Sequence, residues 1–333
     1  MLFRSSYLEY ARRQRGMDHD RYEYRSLFKH APVAWPDQAR VALVVVPIVE
    51  FFPLNMNPAQ MVVKAVGGME RPYPDYWNYT TRDYGTRVGI YRIFKVLEQL
   101  GLPASVAINA RAAQRHGFLL REITRRGWEV IGHGVDMSQV FHGKSAEADE
   151  RAAISAALSV LRQASGQPVR GWLSPMQSES HTTLDILSEH QIDYTLDWNI
   201  DDLPVQMKAR GGPVYGVPFA LDINDRQSVL DFNLSNNDFV EQIVDSFTTL
   251  WQEAAQYGGR VMAISANSVL ADSAASRGRA KLRGSAGSRN PKLLRAARST
   301  WFMESASEAA SGRVSRPIRT RLLTKCETAV SRS

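Results

Sequence analysis

Two side chains suited to proton transfer follow predicted buried strands. Glu50 ends the β-branched run over residues 40–52, and His133 stands between two glycines at the end of the run 128–134. A carboxylate in an apolar setting is expected to have a raised pKa, so Glu50 could act as a general base or acid. Histidine can carry a proton or bind a metal ion. From the residues alone, an ion-paired Glu50 and a hydrogen-bonded, packed His133 are equally acceptable interpretations.

A further group of carboxylates follows a later strand. Asp201 and Asp202 close a polar segment that begins at Asp197, at the end of the predicted strand 192–198. Adjacent carboxyl groups in a dry site cannot both ionise cheaply, so one of them could hold a proton or pair with His133. A solvated turn, which Asp and Asn also favour, is the alternative.

Three more residues are candidates for contact with a substrate. Trp172 and Trp198 could wall a pocket, although tryptophans in strands more often pack in a core. Glu179 lies in the first turn of the predicted helix 178–190, where a negative charge is also favourable for the helix alone.

These candidates depend on an alternation of strands and helices along the chain. Strand-like runs cover residues 40–52, 103–110, 128–134, 169–175, 192–198, 212–225 and 258–267, and helical spacing covers 87–101, 111–127, 145–165, 178–190 and 237–258. Such alternation predicts a parallel sheet, and its length favours an α/β fold of the (β/α)-barrel type. Active sites of these barrels lie at the carboxyl ends of the strands. Glu50, Asn109, His133, Ser174, Asp197, Asp201 and Asp202 all follow such ends. The segment 53–85 is predicted to be a long functional loop.

The composition indicates three regions. The 333 residues, 44% apolar, suffice for a large core in residues 37–267, preceded by an arm over 1–36 whose aromatic residues need cover. Residues 268–333 form a low-complexity tail with a net charge of +10, which leaves −3 for the rest of the chain. Because the net positive charge is confined to this tail and the rest of the chain is mildly acidic, nucleic-acid binding is not expected.

The tail allows two interpretations. Arg, Ser and Ala supply half of its residues, and periodicity vanishes, which is typical of a disordered basic segment. The same bias arises when a GC-rich gene is translated out of frame, and codons for residues 268–274 can encode Pro-Tyr-Leu-Leu-Ile-Ala-Gln after a one-base shift.

The sequence also predicts the setting of the protein. Cys326 is the single cysteine, which excludes a disulfide framework and a multi-cysteine metal site. The chain has no apolar run of membrane-spanning length and no secretory h-region, so a cytoplasmic location without membrane contact is expected. Walker, GxGxxG, GxSxG and HExxH motifs are absent, which argues against nucleotide-binding and serine-hydrolase functions.

Several strings, in their order and spacing, resemble the polysaccharide deacetylase family, and in particular its allantoinase-like branch of purine catabolism. They are VALVVVPIVEFFPLN, RDYGTRVGIYRIFKVLEQLG, PASVAINA, GWEVIGHG, VRGWLSP, DYTLDWNIDDLP and RVMAISA, within residues 17–267. The resemblance implies a distorted (β/α) barrel of about seven strands that hydrolyses a carbon–nitrogen bond in an amide or cyclic amide. Members of this branch suggest assembly into homo-oligomers.

The resemblance also bears on metal binding. Metal-dependent members carry two adjacent aspartates, a base and a ligand; here Glu50 matches the base, and Phe51 stands at the ligand position. Of their two histidines four residues apart, His133 matches the first, and Met137 replaces the second. The family's last motif, a strand followed by His-Pro, is missing after Ala266. With two of three ligands lost, the resemblance implies catalysis without a metal ion or other cofactor.

The sequence thus supports a working hypothesis and an alternative. In the first, Glu50 activates water, His133 positions a small-molecule substrate or protonates the leaving nitrogen, and Asp201 or Asp202 orients His133. In the alternative, the loss of the metal ligands and of the last motif leaves an inactive pseudoenzyme or a small-molecule-binding barrel.

Overall fold

The computed structural model describes residues 17–54 and 74–270. The strands in these ranges are β1 (Val41–Val49), β2 (Ser105–Ile108), β3 (Glu129–Gly132), β4 (Gly171–Trp172), β5 (Tyr194–Thr195), β6 (Val205–Met207), β7 (Val214–Gly216) and β8 (Arg260–Asn267). They form one sheet in the order β6-β7-β5-β4-β3-β2-β1-β8. Neighbouring strands are parallel, except that β6 and β7 are antiparallel.

The sheet curls into the distorted α/β barrel that the sequence predicts. The two ends of the sheet approach each other where Val261 of β8 donates a backbone hydrogen bond of 2.9 Å to the carbonyl oxygen of Asp202, just before β6. The sheet has eight described strands rather than about seven. The additional strand is β6, which has only three residues and one buried side chain, too little for a periodic signal.

Seven α-helices lie in the described ranges. They are α1 (Tyr76–Tyr84), α2 (Ile90–Leu100), α3 (Ala110–Arg115), α4 (Gly117–Arg125), α5 (Glu147–Ser165), α6 (Thr183–Glu189) and α7 (Asn236–Tyr257). Local sequence explains several ends: Ser235 and Asp238 form a capping box at the start of α7, and Gly101 ends α2 with φ +65°. No helix in residues 17–54 or 74–270 is long and apolar enough to cross a membrane.

The first strand is buried on both faces, which explains its continuous apolar run. Val44 and Val46 pack inside the barrel against Val261 and residues of β5 and β7. Val45 and Val49 instead face the layer of helices, where Phe94 of α2 also packs. This double burial fixes the direction of β1 and so the position of Glu50 at its end.

The predicted loop 53–85 is in part helical. Residues 55–73 lie outside the described ranges, but α1 and the π-helical turn Gly85–Gly89 run directly into α2. Tertiary contact explains this difference: a side-chain carbon on Gly85 would come within 2.9 Å of Ser268 Oγ, so the helix packs closely on the chain after β8. The aromatic and polar residues of α1 give no strong helical signal by themselves.

The arm contacts the barrel, but only some of its aromatic residues are covered as predicted: Tyr24 and Phe28 are exposed. Trp35 is buried, and its indole nitrogen donates to the carbonyl oxygen of Arg260 at 2.9 Å. At the other end of the domain, Ser268–Leu270 form a buried turn that belongs to the folded part. The arm's residues 1–16 and the tail's residues 271–333, with the predictions of disorder and out-of-frame translation, lie outside the described residues.

Candidate active site

Glu50 and His133 meet at the carboxyl ends of β1 and β3. His133 Nε2 lies 3.7 Å from Glu50 Oε1, and both side chains are largely buried. The other ring nitrogen, Nδ1, is 2.7 Å from the carbonyl oxygen of Leu173 after β4. Nε2 is buried without a hydrogen-bond partner among the described residues. A water molecule or a substrate nitrogen beside Glu50 would supply that partner.

Asn109 holds the two strand ends in register. It follows β2, which lies between β1 and β3, and it is fully buried. Its Oδ1 accepts from the Phe51 backbone N–H at 2.7 Å, and its Nδ2 donates to the carbonyl oxygen of His133. Asn109 therefore positions the backbone on either side of the Glu50–His133 pair.

Asn267 and Asp225 complete the surroundings of Glu50. Asn267, the last residue of β8, donates from Nδ2 to Glu50 Oε2 at 3.3 Å. Its backbone N–H donates to Asp225 Oδ2 at 2.6 Å, and Ser265 Oγ donates to Asp225 Oδ1 at 3.0 Å. The place of Asn267 at a strand end could have pointed to it. Asp225 lies in an irregular segment after β7 and carries no such signal.

The pKa of Glu50 is lowered, which corrects the expectation of a raised value. Burial acts to raise the pKa of Glu50, but His133, the hydrogen bond from Asn267 and the charge of Arg226 together more than offset it. Glu50 is therefore ionised at neutral pH, as a general base must be.

Asp225 has the opposite shift, and this leads to a prediction about stability. Burial, with a contribution from the charge of Glu50, raises the pKa of Asp225 to about 6 from an ordinary 3.8, although Asn267, Ser265 and Arg226 donate hydrogen bonds to it. The folded state therefore holds this proton more tightly than the unfolded chain. The contribution to stability is full below pH 4 and falls by about 3 kcal/mol as the pH rises through 6.

Asp225→Asn stays neutral, so the difference between its unfolding free energy and that of wild type is expected to rise by about 2.5 kcal/mol from pH 4 to pH 8. Urea denaturation at pH 4, 6 and 8 measures this difference. The exposed Asp245→Asn variant is the control and should show no such trend. A constant difference between Asp225→Asn and wild type across this pH range would contradict the assignment.

The residues present do not fit a divalent metal centre of the family's kind. Phe51 and Met137, at the two missing ligand positions, are buried, and the Met137 backbone N–H donates to the carbonyl oxygen of Phe51 at 3.0 Å. Met137 Sδ is occupied by Asn109 Nδ2 at 3.8 Å. One carboxylate and one imidazole remain, fewer ligands than a stable site uses. Within the described ranges, no three His, Cys, Asp or Glu residues converge on one point.

Asp201 and Asp202 do not orient His133, which corrects the sequence-based hypothesis. Asp201 Oδ2 pairs with His30 Nε2 of the arm at 3.3 Å, and Asp201 lines a cavity of about 720 Å³ between the arm and β6. The Asp202 carbonyl oxygen accepts a hydrogen bond from the backbone N–H of Val261, which lies six residues before Asn267 along β8. Six strand residues span roughly 20 Å, so both aspartates lie far from Glu50.

Of the three predicted substrate contacts, Trp172 lies in the core, whereas the roles of Trp198 and Glu179 stay predictions. Trp172 is 2% exposed and packs in the core against Gly132, so it forms no pocket wall. Trp198 Nε1 donates to Glu179 Oε2 at 2.9 Å, and its ring meets those of His19 and Tyr22 from the arm. Glu179 and Trp198 thus form a polar cluster that the arm contacts.

Comparison with known proteins agrees with this geometry. A family model described as polysaccharide deacetylase matches residues 72–195, from just before α1 to the end of β5. The crystal structure of Puue allantoinase is 25% identical and superposes with a TM-score of 0.68, over 83% of this chain and 97% of that one. Residues 72–195 therefore match a polysaccharide deacetylase domain.

The deacetylase fold extends beyond the matched span. A probable polysaccharide deacetylase from Pseudomonas aeruginosa PAO1 is 22% identical, with a TM-score of 0.68 over 85% of this chain and 99% of that one. A putative polysaccharide deacetylase from Mycobacterium smegmatis is 18% identical, with a TM-score of 0.62 over 86% and 96%. A search of curated proteins finds no significant match. The deacetylase barrel therefore includes β1 and β8, which carry Glu50 and Asn267.

Proposed function

We propose that this deacetylase domain hydrolyses a carbon–nitrogen bond of an amide or cyclic amide in a small molecule, with Glu50 as general base and His133 as general acid. The observation that carries the proposal is the approach of His133 Nε2 to Glu50 Oε1 at the carboxyl end of the barrel. The family match and the likeness to an allantoinase support the same class of reaction.

The reaction needs two proton transfers that this pair can supply. The Glu50 carboxylate takes a proton from water as the water oxygen bonds to the substrate carbonyl carbon. Protonated His133 then donates its Nε2 proton to the nitrogen as the carbon–nitrogen bond breaks. The proton on Glu50 passes to His133 Nε2, and the pair is restored. Because Phe51 and Met137 stand at the ligand positions, no step is assigned to a metal ion.

A metal-dependence assay tests this proposal. The full-length protein is incubated with N-acetylated sugar oligomers, allantoin and related cyclic ureides, in EDTA or with added zinc. Hydrolysis of at least one substrate is expected, and its rate should agree within about twofold in the two conditions because no metal-bound water takes part. Deacetylation that requires zinc would overturn the metal-free mechanism. No hydrolysis of any substrate would favour the inactive, ligand-binding alternative. A reducing, cytoplasmic location fits the single Cys326 and remains part of the proposal.

A further inference from the structure

The Leu173 carbonyl oxygen determines which His133 nitrogen exchanges protons. Because this oxygen can only accept, the 2.7 Å contact favours a hydrogen on His133 Nδ1, and the strength of this hydrogen bond sets how far the Nδ1–H form predominates. Nε2, which faces Glu50, then carries the exchangeable proton in the charged ring and a lone pair in the neutral ring. The reaction proposed above depends on this tautomer.

The other side of the same peptide group binds a carboxylate. The Ser174 N–H, which shares its amide with the Leu173 carbonyl, donates to Asp197 Oδ1 at 2.8 Å. Hydrogen bonds in series polarise one another, so a negative Asp197 makes the Leu173 oxygen a stronger acceptor. One amide therefore connects His133 to Asp197, although the two side chains do not touch.

Glu179 allows Asp197 to remain charged in a buried position. Thr195 Oγ1 donates to Asp197 Oδ2 at 2.8 Å, while Glu179 Oε1 is buried without a donor among the described residues. Burial, together with the charge of Asp197, raises the pKa of Glu179 well above its ordinary value. Burial raises the pKa of Asp197 as well, but hydrogen bonds from Ser174, Glu179 and Thr195 oppose that shift, so Glu179 takes the proton that the pair shares and Asp197 keeps the charge.

We propose that Asp197 is a positioning residue for His133: through the Leu173–Ser174 amide it holds the Nδ1–H tautomer. The catalytic part of this inference rests on the proposed function, whereas the tautomer is a property of the folded protein alone. It assigns to Asp197 the role that the sequence suggested for Asp201 or Asp202.

The first test replaces Asp197 by asparagine and observes the ring nitrogens of His133 by 15N NMR. Asp197→Asn is expected to give a mixture of Nδ1–H and Nε2–H forms and to lower kcat about 100-fold, with KM within threefold. Asp201→Asn is the matched control, because Asp201 pairs with His30 and should change neither value. Glu179→Gln mimics the protonated acid and should keep the wild-type Nδ1–H tautomer of His133.

A second pair of variants breaks the connection at the amide. Ser174 has φ −66°, which suits proline, so Ser174→Pro removes the N–H while keeping the backbone path. Ser174→Ala keeps the N–H and loses the hydroxyl, which accepts from Trp172 Nε1 and is also hydrogen-bonded to Asp197. Ser174→Pro is expected to change the His133 tautomer as Asp197→Asn does, and Ser174→Ala to leave it unchanged.

A wild-type His133 spectrum in folded Asp197→Asn or Ser174→Pro would overturn the proposal, as would equal tautomer changes in Ser174→Ala and Ser174→Pro. If Asp197→Asn does not fold, the comparison of Ser174→Pro with Ser174→Ala tests whether Asp197 acts on His133 through the amide. If the wild-type protein hydrolyses no substrate, the proposed function fails, but the NMR result still decides the role of Asp197.

Discussion

Glu50→Gln is expected to lower kcat by about 10³-fold, the largest effect on activity in this protein. The amide of glutamine fits the same space and can still accept from Asn267 Nδ2, but it cannot take a proton from water. Loss of a positioned general base typically costs 10²- to 10⁴-fold. Steady-state rates on the substrate identified in the metal-dependence assay measure the change.

Folding of Glu50→Gln must be shown to be intact for this result to report on chemistry. Thermal unfolding of the variant and wild type provides that check. Glu241→Gln makes the same chemical change on the exposed side of α7, so it should retain wild-type kcat. Wild-type turnover by Glu50→Gln would remove Glu50 from the mechanism, whatever the role of His133.

The largest loss of stability is expected from substitution of Arg21 in the arm. Arg21 and Asp185 of α6 form a buried, bidentate ion pair with distances of 2.7 and 3.1 Å, and the two side chains are 4% and 3% exposed. Arg21→Met would leave a buried carboxylate without its main partner. Breaking such a pair costs roughly 3–5 kcal/mol. A value of about 3 kcal/mol is expected, because the Arg210 N–H still donates to Asp185 at 2.9 Å.

Denaturant unfolding of Arg21→Met measures this loss of free energy. Arg25→Met, four residues further along the arm and exposed, is the matched control and should change stability by less than about 0.5 kcal/mol. Equal stability of Arg21→Met and wild type would mean that the arm contributes little to the folded state.

The arm also contacts the polar cluster of Glu179 and Trp198. The rings of His19 and Tyr22 meet Trp198 at centroid distances of 5.6 and 6.1 Å, and Trp198 in turn donates to Glu179. Arg21 lies between them in sequence. Loss of the Arg21–Asp185 pair therefore removes an anchor beside the residues that hold Asp197 in its charged form.

Much of the hypothesis of catalysis without a metal ion follows from individual residues in the sequence. Phe51 and Met137 cannot act as the oxygen and nitrogen ligands of the family, and the structure buries both beside Glu50 and His133. The identities of Phe51 and Met137 did not show their contacts with Asn109. Asn109 accepts from the Phe51 backbone N–H and donates to the Met137 sulfur. Those contacts join three loops that are distant in sequence, so no local pattern predicts them.

The pKa of Glu50 also depends on tertiary contacts that no local pattern predicts. An apolar run around a carboxylate predicts desolvation, and desolvation is present. The direction of the net shift depends on His133, Asn267 and Arg226, which reach Glu50 from β3, β8 and the segment after β7. Electrostatic interactions depend on distances of a few ångströms, and the sequence does not contain them.

The sequence by itself determined the alternation of strands and helices, the α/β barrel, and the meeting of Glu50 with His133. Periodicity is local, and parallel strands of a barrel present their carboxyl ends on one face, so both can be derived without coordinates. The tertiary structure alone determined which carboxylate lies where it can position His133. After β5 the chain leaves the active-site end, and the stagger of the strands carries Asp201 and Asp202 to the start of β8. Asp197, at the end of β5, stays one amide away from the histidine because β4 and β5 are neighbours in the sheet.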